Sequence, residues 1–283
     1  MRNDFAVFIL THGRPDNVKT IDTLRKCGYT GRWYMIIDNE DSRADEYRKT
    51  FGEDKVIQFD KLAVSKTFDT ADLSQDRRTI VYARNASFDI AEKLGLKYFL
   101  ELDDDYTEFR FRKNVNGSLK SIYCRHIDLL FDAMIDFLDC ADIASVALAQ
   151  TGDLIGGINS RVHKERLTRK AMNSFFCRTD RRFQFVGRIN EDVNTYTSLG
   201  TRGKLFFTVA EATLNQTDTQ QSGGGMTDVY LDSGTYVKSF YTVMMCPSCV
   251  HIATMGVNSK RMHHRIDWSK CTPKIISERW KKQ

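Results

Sequence analysis

The chain has 283 residues, 41% of them hydrophobic and three of them proline, enough apolar material for one large core and too little bias for a disordered protein. Its formal charge of +5 conceals an asymmetry: residues 1–109 carry 17 Lys+Arg against 21 Asp+Glu, and residues 110–283 carry 25 against 16. The longest apolar run near the N-terminus, Phe5–Leu10, is too short for a signal or a membrane span.

Phe5–Leu10 predicts a buried strand, followed by the turn Thr11-His12-Gly13-Arg14-Pro15 and a helix from about Asp16 to Lys26. Val18, Ile21 and Leu24 fall at helical spacing, and Gly28 stops the helix. Trp33–Ile37 predicts a second strand ending at Asp38-Asn39, and Val56–Phe59 a short third. Polar Ser65–Arg78 reads as a mobile loop, and Ile80–Leu94 has helical periodicity. The run from Tyr98 to Leu102 reads as a buried central strand, closed by Asp103-Asp104-Asp105. Alternating strands and helices with short connections give an open, mostly parallel α/β sheet with right-handed crossovers.

The second half is less regular. It predicts a helix over Asp128–Leu138, strands at Ile143–Ala149, Phe183–Val186 and Leu205–Val209, and a short helix opening at Glu191 with Asn190 as its cap. Thr217–Thr227, built from Gly, Ser, Gln and Thr, reads as a flexible loop or lid. The expectation is one domain, with a donor half over 1–109 and an acceptor half over 110–283.

Three adjacent carboxylates repel one another, so a strand ending in them calls for a cation. Asp103 and Asp105 form a D-x-D pair suited to a hard divalent ion, Mg²⁺ or Mn²⁺, that leaves positions open for a diphosphate. No G-x-G-x-x-G or G-x-x-x-x-G-K-[ST] loop is present, which leaves the metal as the main neutraliser of that diphosphate. Asp38, at the end of the second strand, is placed to accept from a nucleoside base or ribose, and Arg84-Asn85 to reach the same nucleotide. Thr11, Arg14 and Asp104, at the same carboxyl ends, join them as donor-binding candidates.

Transfer of a sugar to a hydroxyl needs a base. Asp192 is the choice, with Glu191 beside it, because a helix N-terminus favours an ionised carboxylate. His263 is a candidate third metal ligand, and Lys260 and His264 are candidates to meet the departing diphosphate; a basic loop facing nucleic acid is the competing view. Asn159–Arg188 holds nine bases and two acids. Arg169, Lys170, Arg181 and Arg182 from it, with Arg110, Arg112 and Lys113, are the expected phosphate contacts of a nucleic acid, interleaved with Phe109, Phe111 and Tyr123. Cys246 and Cys249 form a lone C-x-x-C, read as buried thiols; an odd total of seven cysteines without a signal suggests reduced thiols and a cytoplasmic protein. Together the pieces describe a metal-dependent glycosyltransferase of the GT-A architecture, using a nucleotide sugar.

Several stretches carry a family resemblance: FILTHGRPDNVKTIDTLRKCGYTGRWYMIIDNED, YARNASFDIAEKLGLKYFLELDDDYTEF, RKAMNSFFC, GRINEDVNTYTSLGTRG, GGMTDVYLDSGTYVKSFYTVM and KRMHHRI. They resemble the TET/JBP-associated glycosyltransferases of bacteriophages and, more distantly, of kinetoplastids, over most of the chain. The resemblance implies a GT-A-like fold, metal at Asp103 and Asp105, catalysis near Glu191-Asp192 and a C-terminal His263/His264 element. It further implies a UDP-sugar donor, hydroxymethylated pyrimidine in DNA as acceptor, and a functional link to a 5-methylpyrimidine dioxygenase. Which two of the three aspartates touch the metal stays open. So do a polysaccharide or lipid-carrier acceptor, a non-catalytic DNA-binding role and nucleotidyl transfer.

Overall fold

The computed structural model describes residues 1–165, 167–216, 226–255 and 260–273, and side chains over these except 226–235. Strand β1 (Phe5–Leu10) is buried along its whole length and sits between β2 (Arg32–Asp38) and β4 (Tyr98–Asp103), parallel to both. Strand β3 (Val56–Phe59) adds outside β2. Side chains alternate between faces with period two. Phe5, Val7 and Ile9 enter one core and Ala6, Phe8 and Leu10 the other, so β1 is apolar on both sides. Helices α1 (Lys19–Lys26), α2 (Ala44–Phe51), α3 (Lys61–Ser65) and α4 (Val81–Lys93) connect these strands. The predicted first helix starts three residues later than the sequence suggests, and α2 and α3 fall in stretches left without an element. Asp60 caps α3 through a 2.9 Å bond from the Ala63 N–H.

After β4 the chain forms a hairpin, β5 (Tyr106–Val115) and β6 (Ser118–Tyr123), turning at Asn116-Gly117, where both residues have positive φ. Helix α5 (Ile127–Cys140) buries Phe131, Met134, Ile135 and Leu138 on one stripe. Strand β7 (Ile143–Gln150), helix α6 (Arg161–Glu165) and the short β8 (Leu167–Thr168) follow. Then come β9 (Ser174–Arg178), helix α7 (Glu191–Gly200), β10 (Leu205–Gln216), helix α8 (Met226–Met245) and the two-stranded ribbon β11 (Val250–Met255) and β12 (Arg261–Ile266). The ten-stranded sheet runs β3-β2-β1-β4-β9-β7-β10-β5-β6, with β8 pairing β10.

Two expectations need correction here. Phe183–Val186 is not a strand; the strand is β9, just upstream, and it enters antiparallel between β4 and β7. Phe183 and Phe185 instead point into the core from irregular chain, against Phe88, Phe175 and Phe206. The polar stretch over 66–80 has no regular element but is stitched down: Asp69 O accepts from Gly187 N at 2.7 Å, and Asp72 accepts from Arg188 at 2.9 Å and Tyr241 at 2.7 Å. Residues 217–225 of the expected lid lie outside the described residues, and Met226 and Thr227 already belong to α8. Among the described residues no helix is long and apolar enough to cross a membrane.

Candidate active site

The carboxyl ends of β1, β2 and β4 lie side by side, with Leu10 in register with both Ile36 and Asp103. Thr11, Asp38 and the acidic turn therefore share one rim, the usual place for a ligand in an open α/β sheet. The turn is held from below by Thr20 of α1, whose hydroxyl donates to Asp103 O at 2.6 Å and whose N–H donates to Asp104 O at 3.1 Å.

The three aspartates have different surroundings. Asp104 is buried, accepting from the Thr11 hydroxyl at 2.6 Å and pairing with Arg14 at 3.1 Å. Tyr47, 2.8 Å from Thr11, accepts the Arg14 N–H at 2.8 Å and links these two residues. Burial raises the pKa of Asp105 to about 7, helped by the neighbouring charges of Asp103 and Asp104. Asp103 is raised too, by burial against the opposing charge of Arg84. Such a crowded pair of hard oxygen donors fits a divalent cation, whose charge would relieve that repulsion. Among the described residues no group of three or more His, Cys, Asp or Glu converges on a metal position. A cation here would complete its shell with substrate oxygens and water, and His263 is not assembled with Asp103 and Asp105 as a third ligand.

Arg84 organises the centre. It is 2% exposed, projecting from α4 onto the sheet face that carries Glu101 and Asp103. Its Nη2 donates to Asp103 at 3.2 Å and its Nε to Glu191 at 3.1 Å, and Nη1 lies 3.6 Å from Glu101. Phe175 stacks on the guanidinium, with the ring centroid 4.6 Å away. Arg84 is thus an internal counter-ion rather than a nucleotide contact. Asn85 is equally committed, giving to Phe185 O at 3.0 Å and taking from Phe185 N at 2.8 Å. Glu101 lies beyond hydrogen-bond distance of Arg84, and burial lifts its carboxyl to about 8 against the opposing pull of that guanidinium.

Glu191 and Asp192 open α7, both buried. Asn190 does not cap them: it sits in the left-handed region at φ 54° and its amide donates to Lys238 O at 2.7 Å and Thr242 at 3.2 Å on α8. Burial pushes both acids above their ordinary range despite the helix N-terminus and Arg84, so desolvation outweighs the dipole assumed from sequence. The charges of Lys238 and Lys170 favour the ionised form of Asp192, and the Asp192 charge in turn raises Asp103. The acids of the two halves therefore face one another. Asp38 is buried, bound to His12 at 2.8 Å and Lys61 at 3.2 Å; burial raises its carboxyl, but those partners outweigh it and hold it below the usual range.

The basic candidates divide. Arg181 donates to the carbonyls of Leu138, Ala141 and Ile143 and closes the end of α5. Arg182 pairs with Asp89 and Glu92, Arg169 donates to Trp268 O and Cys271 O, and Lys170 pairs with Asp153. Arg169, Lys170 and Arg181 thus serve internal acceptors, against the expectation of phosphate contacts, whereas Arg182 is exposed beside the exposed acids Asp89 and Glu92. On the hairpin, Arg110 is held by Glu108 at 2.7 Å and Arg112 donates to Thr213 at 3.2 Å, while Lys113 lies exposed opposite Lys120. Phe109 is fully buried core. Lys260 is exposed at the start of β12; His263 and His264 stack at 4.2 Å, and burial, His263 and Lys238 push His264 down to about 4. Cys246 and Cys249 are buried thiols whose sulfurs lie 3.3 Å apart.

A sheet of this order, with its acids gathered on the carboxyl rim, defines the GT-A-like class of glycosyltransferase folds. Solved structures share it. One is a mycobacterial protein, 11% identical with a TM-score of 0.50 over 93% of this chain and 83% of that one. Another is glucosyl-3-phosphoglycerate synthase from Mycobacterium tuberculosis in complex with Mg²⁺ and uridine diphosphate, 9% identical with a TM-score of 0.50 over 93% and 87%. No curated protein matches the chain. The family model of the TET-Associated Glycosyltransferases matches residues 5–225, and the chain belongs to that family. It is a glycosyltransferase.

Proposed function

We propose that the protein transfers a hexose, glucose by preference, from a UDP-sugar to the hydroxyl of a 5-hydroxymethylpyrimidine in DNA, with 5-hydroxymethylcytosine the favoured base. The carrying observation is Arg84, whose single guanidinium reaches Asp103 on the donor rim and Glu191 beside the candidate base. Residues 1–109 serve as the donor half and 110–283 as the acceptor half. The donor reading is supported by the neighbour that binds Mg²⁺ and uridine diphosphate, and the acceptor reading by the family's association with TET. That association also supports a link to a 5-methylpyrimidine dioxygenase.

Asp103 and Asp105 would hold Mg²⁺ or Mn²⁺, which when bound offsets charge on the departing UDP. Asp104, fixed by Thr11 and Arg14, keeps the turn in shape, and Asp38 with His12 and Lys61 faces the nucleoside. Asp192 takes the proton from the acceptor hydroxyl as the oxygen attacks the anomeric carbon, and Glu191 orients it. Lys260 and His264 stay candidates for the diphosphate side. The displacement is direct and inverting, because a base is present and no second nucleophile is apparent.

The test incubates the protein with a panel of UDP-sugars, Mn²⁺ and an oligonucleotide carrying 5-hydroxymethylcytosine, beside its unmodified twin, and weighs the nucleosides. A hexose mass on the hydroxymethylated nucleoside alone is expected. Pyrophosphate as the released product, or UDP release with no mass gained by the DNA, overturns the assignment. Product anomer by NMR checks inversion; an α product from an α donor refutes it.

A further inference from the structure

Arg169, Lys170 and Arg181 are committed to internal acceptors, and a second basic surface lies on the ribbon β11–β12. In the ribbon β11–β12, His251 pairs with Arg265, Ala253 with His263 and Met255 with Arg261, which places these six on one face. His251, Met255, Arg261 and Arg265 are exposed, whereas Val250 and Ile266, on the opposite face, pack into the core. No acid occurs anywhere from Val250 to Ile266.

The ribbon is fastened to the catalytic end of the molecule. The Ser239 hydroxyl of α8 donates to Met262 O at 2.9 Å, and one residue earlier Lys238 O accepts from Asn190, the neighbour of Glu191. Trp268, just past β12, stacks on Tyr196 of α7 at 5.8 Å. Beside this junction α8 leaves Tyr236, Phe240 and Met244 exposed at 65%, 43% and 61%, one turn apart. A two-stranded ribbon is narrow enough to enter the major groove, bases on its outer face meet phosphates, and exposed aromatic rings stack on or wedge beside an unpaired base.

We propose that the β11–β12 ribbon, through Arg261 and Arg265, is the surface that grips duplex DNA, with Tyr236 and Phe240 of α8 supporting the base presented to Asp192. This rests on the DNA-acceptor reading above and names the surface that serves it. The complementarity is of charge: a basic face, whose neighbouring acid Asp267 is paired with Lys270, beside a pair of buried acids that must receive a polyanion's base.

The experiment measures binding of a hydroxymethylated duplex by fluorescence anisotropy from 50 to about 300 mM salt. It compares the wild-type protein, R261A/R265A, and K26A/K93A, whose two exposed lysines end α1 and α4. Each lost phosphate contact lowers the slope of log K against log salt by about 0.9, so the ribbon variant should lose about two units of slope and about tenfold or more in affinity. The lysine control should match the wild type. Phe240→Ala should reduce transfer to DNA while leaving the slope unchanged. Equal binding by the ribbon variant, in a wild-type protein that does glycosylate DNA, overturns the surface and leaves the function standing. A loss in the lysine control as large as in the ribbon variant also overturns it, as does tighter wild-type binding to anionic vesicles than to duplex. A wild-type protein that neither binds nor modifies the duplex removes the acceptor reading and the surface together.

Discussion

Replacing Arg84 by methionine tests whether one buried cation sustains the centre of the molecule. The side chain is fully enclosed and serves Asp103, Glu191 and Glu101 at 3.2, 3.1 and 3.6 Å. Removing one partner of a buried ionic group costs about 3–5 kcal/mol, because the remaining charges stay desolvated. With an unfolding entropy of about 2.1 cal/mol/K per residue, that loss lowers Tm by roughly 5–8 °C for a chain of this size. The variant should recover part of the loss as pH falls. Without Arg84 the carboxyls of Glu191 and Asp103 titrate even further above their unfolded values, so the folded state binds more protons than the unfolded one, and stability rises on acidification through that window. Adding Glu101→Gln should change little further, since burial without Arg84 favours the uncharged acid there. Thermal unfolding followed by circular dichroism at pH 5 and 8 reads all of this. A Tm within about 2 °C of wild type at pH 8, less than the loss a broken buried pair implies, would refute the reasoning.

Four further outcomes are expected. Burial lifts Asp105 to about 7, and a ligand carboxyl must be ionised, so Mn²⁺ affinity by calorimetry should fall as pH drops from 8 to 6, and Asp105→Asn should weaken Mn²⁺ binding and abolish transfer. Asp192→Asn should lower kcat by about 10²–10⁴ with DNA affinity intact, whereas loss of DNA binding in that variant would remove Asp192 as the base. Gly187 has φ +82°, and a Cβ there would collide with the Asn194 amide, so Gly187→Ala should destabilise by about 1–3 kcal/mol in urea unfolding. Arg181→Ala strips three carbonyls at the end of α5 and should lower stability by about 1–3 kcal/mol without changing DNA affinity.

The donor half was legible because its strands are short, apolar on both faces and bounded by Gly and acids. Composition alone separates such strands from the amphipathic helices between them. The D-x-D pair and Glu191-Asp192 were visible as acids placed where a strand ends and a helix begins. Arg84 was found, but its role was not, because a sequence does not tell whether an arginine near an acidic turn faces a ligand or those same acids. Glu101 was the overlooked signal: a charged residue two positions before Asp103, inside a buried strand, demands a partner on that face. The β5–β6 hairpin was missed, although Asn116-Gly117 is a turn signal between its strands. Arg169 and Arg181 misled because charge counts ignore carbonyls brought close by folding. Tyr47 and Lys238 reach the site from helices remote in sequence, and only tertiary packing places them there.

The antiparallel strand β9, laced to β4 through Tyr98–Leu102 and to β7 through Ser145 and Val146, welds the parallel strands before it and those after it into one hydrogen-bonded slab. A clamshell opening between them would have to tear that ladder apart. Substrates must therefore reach the acids over the carboxyl rim rather than through a hinge in the sheet beneath it.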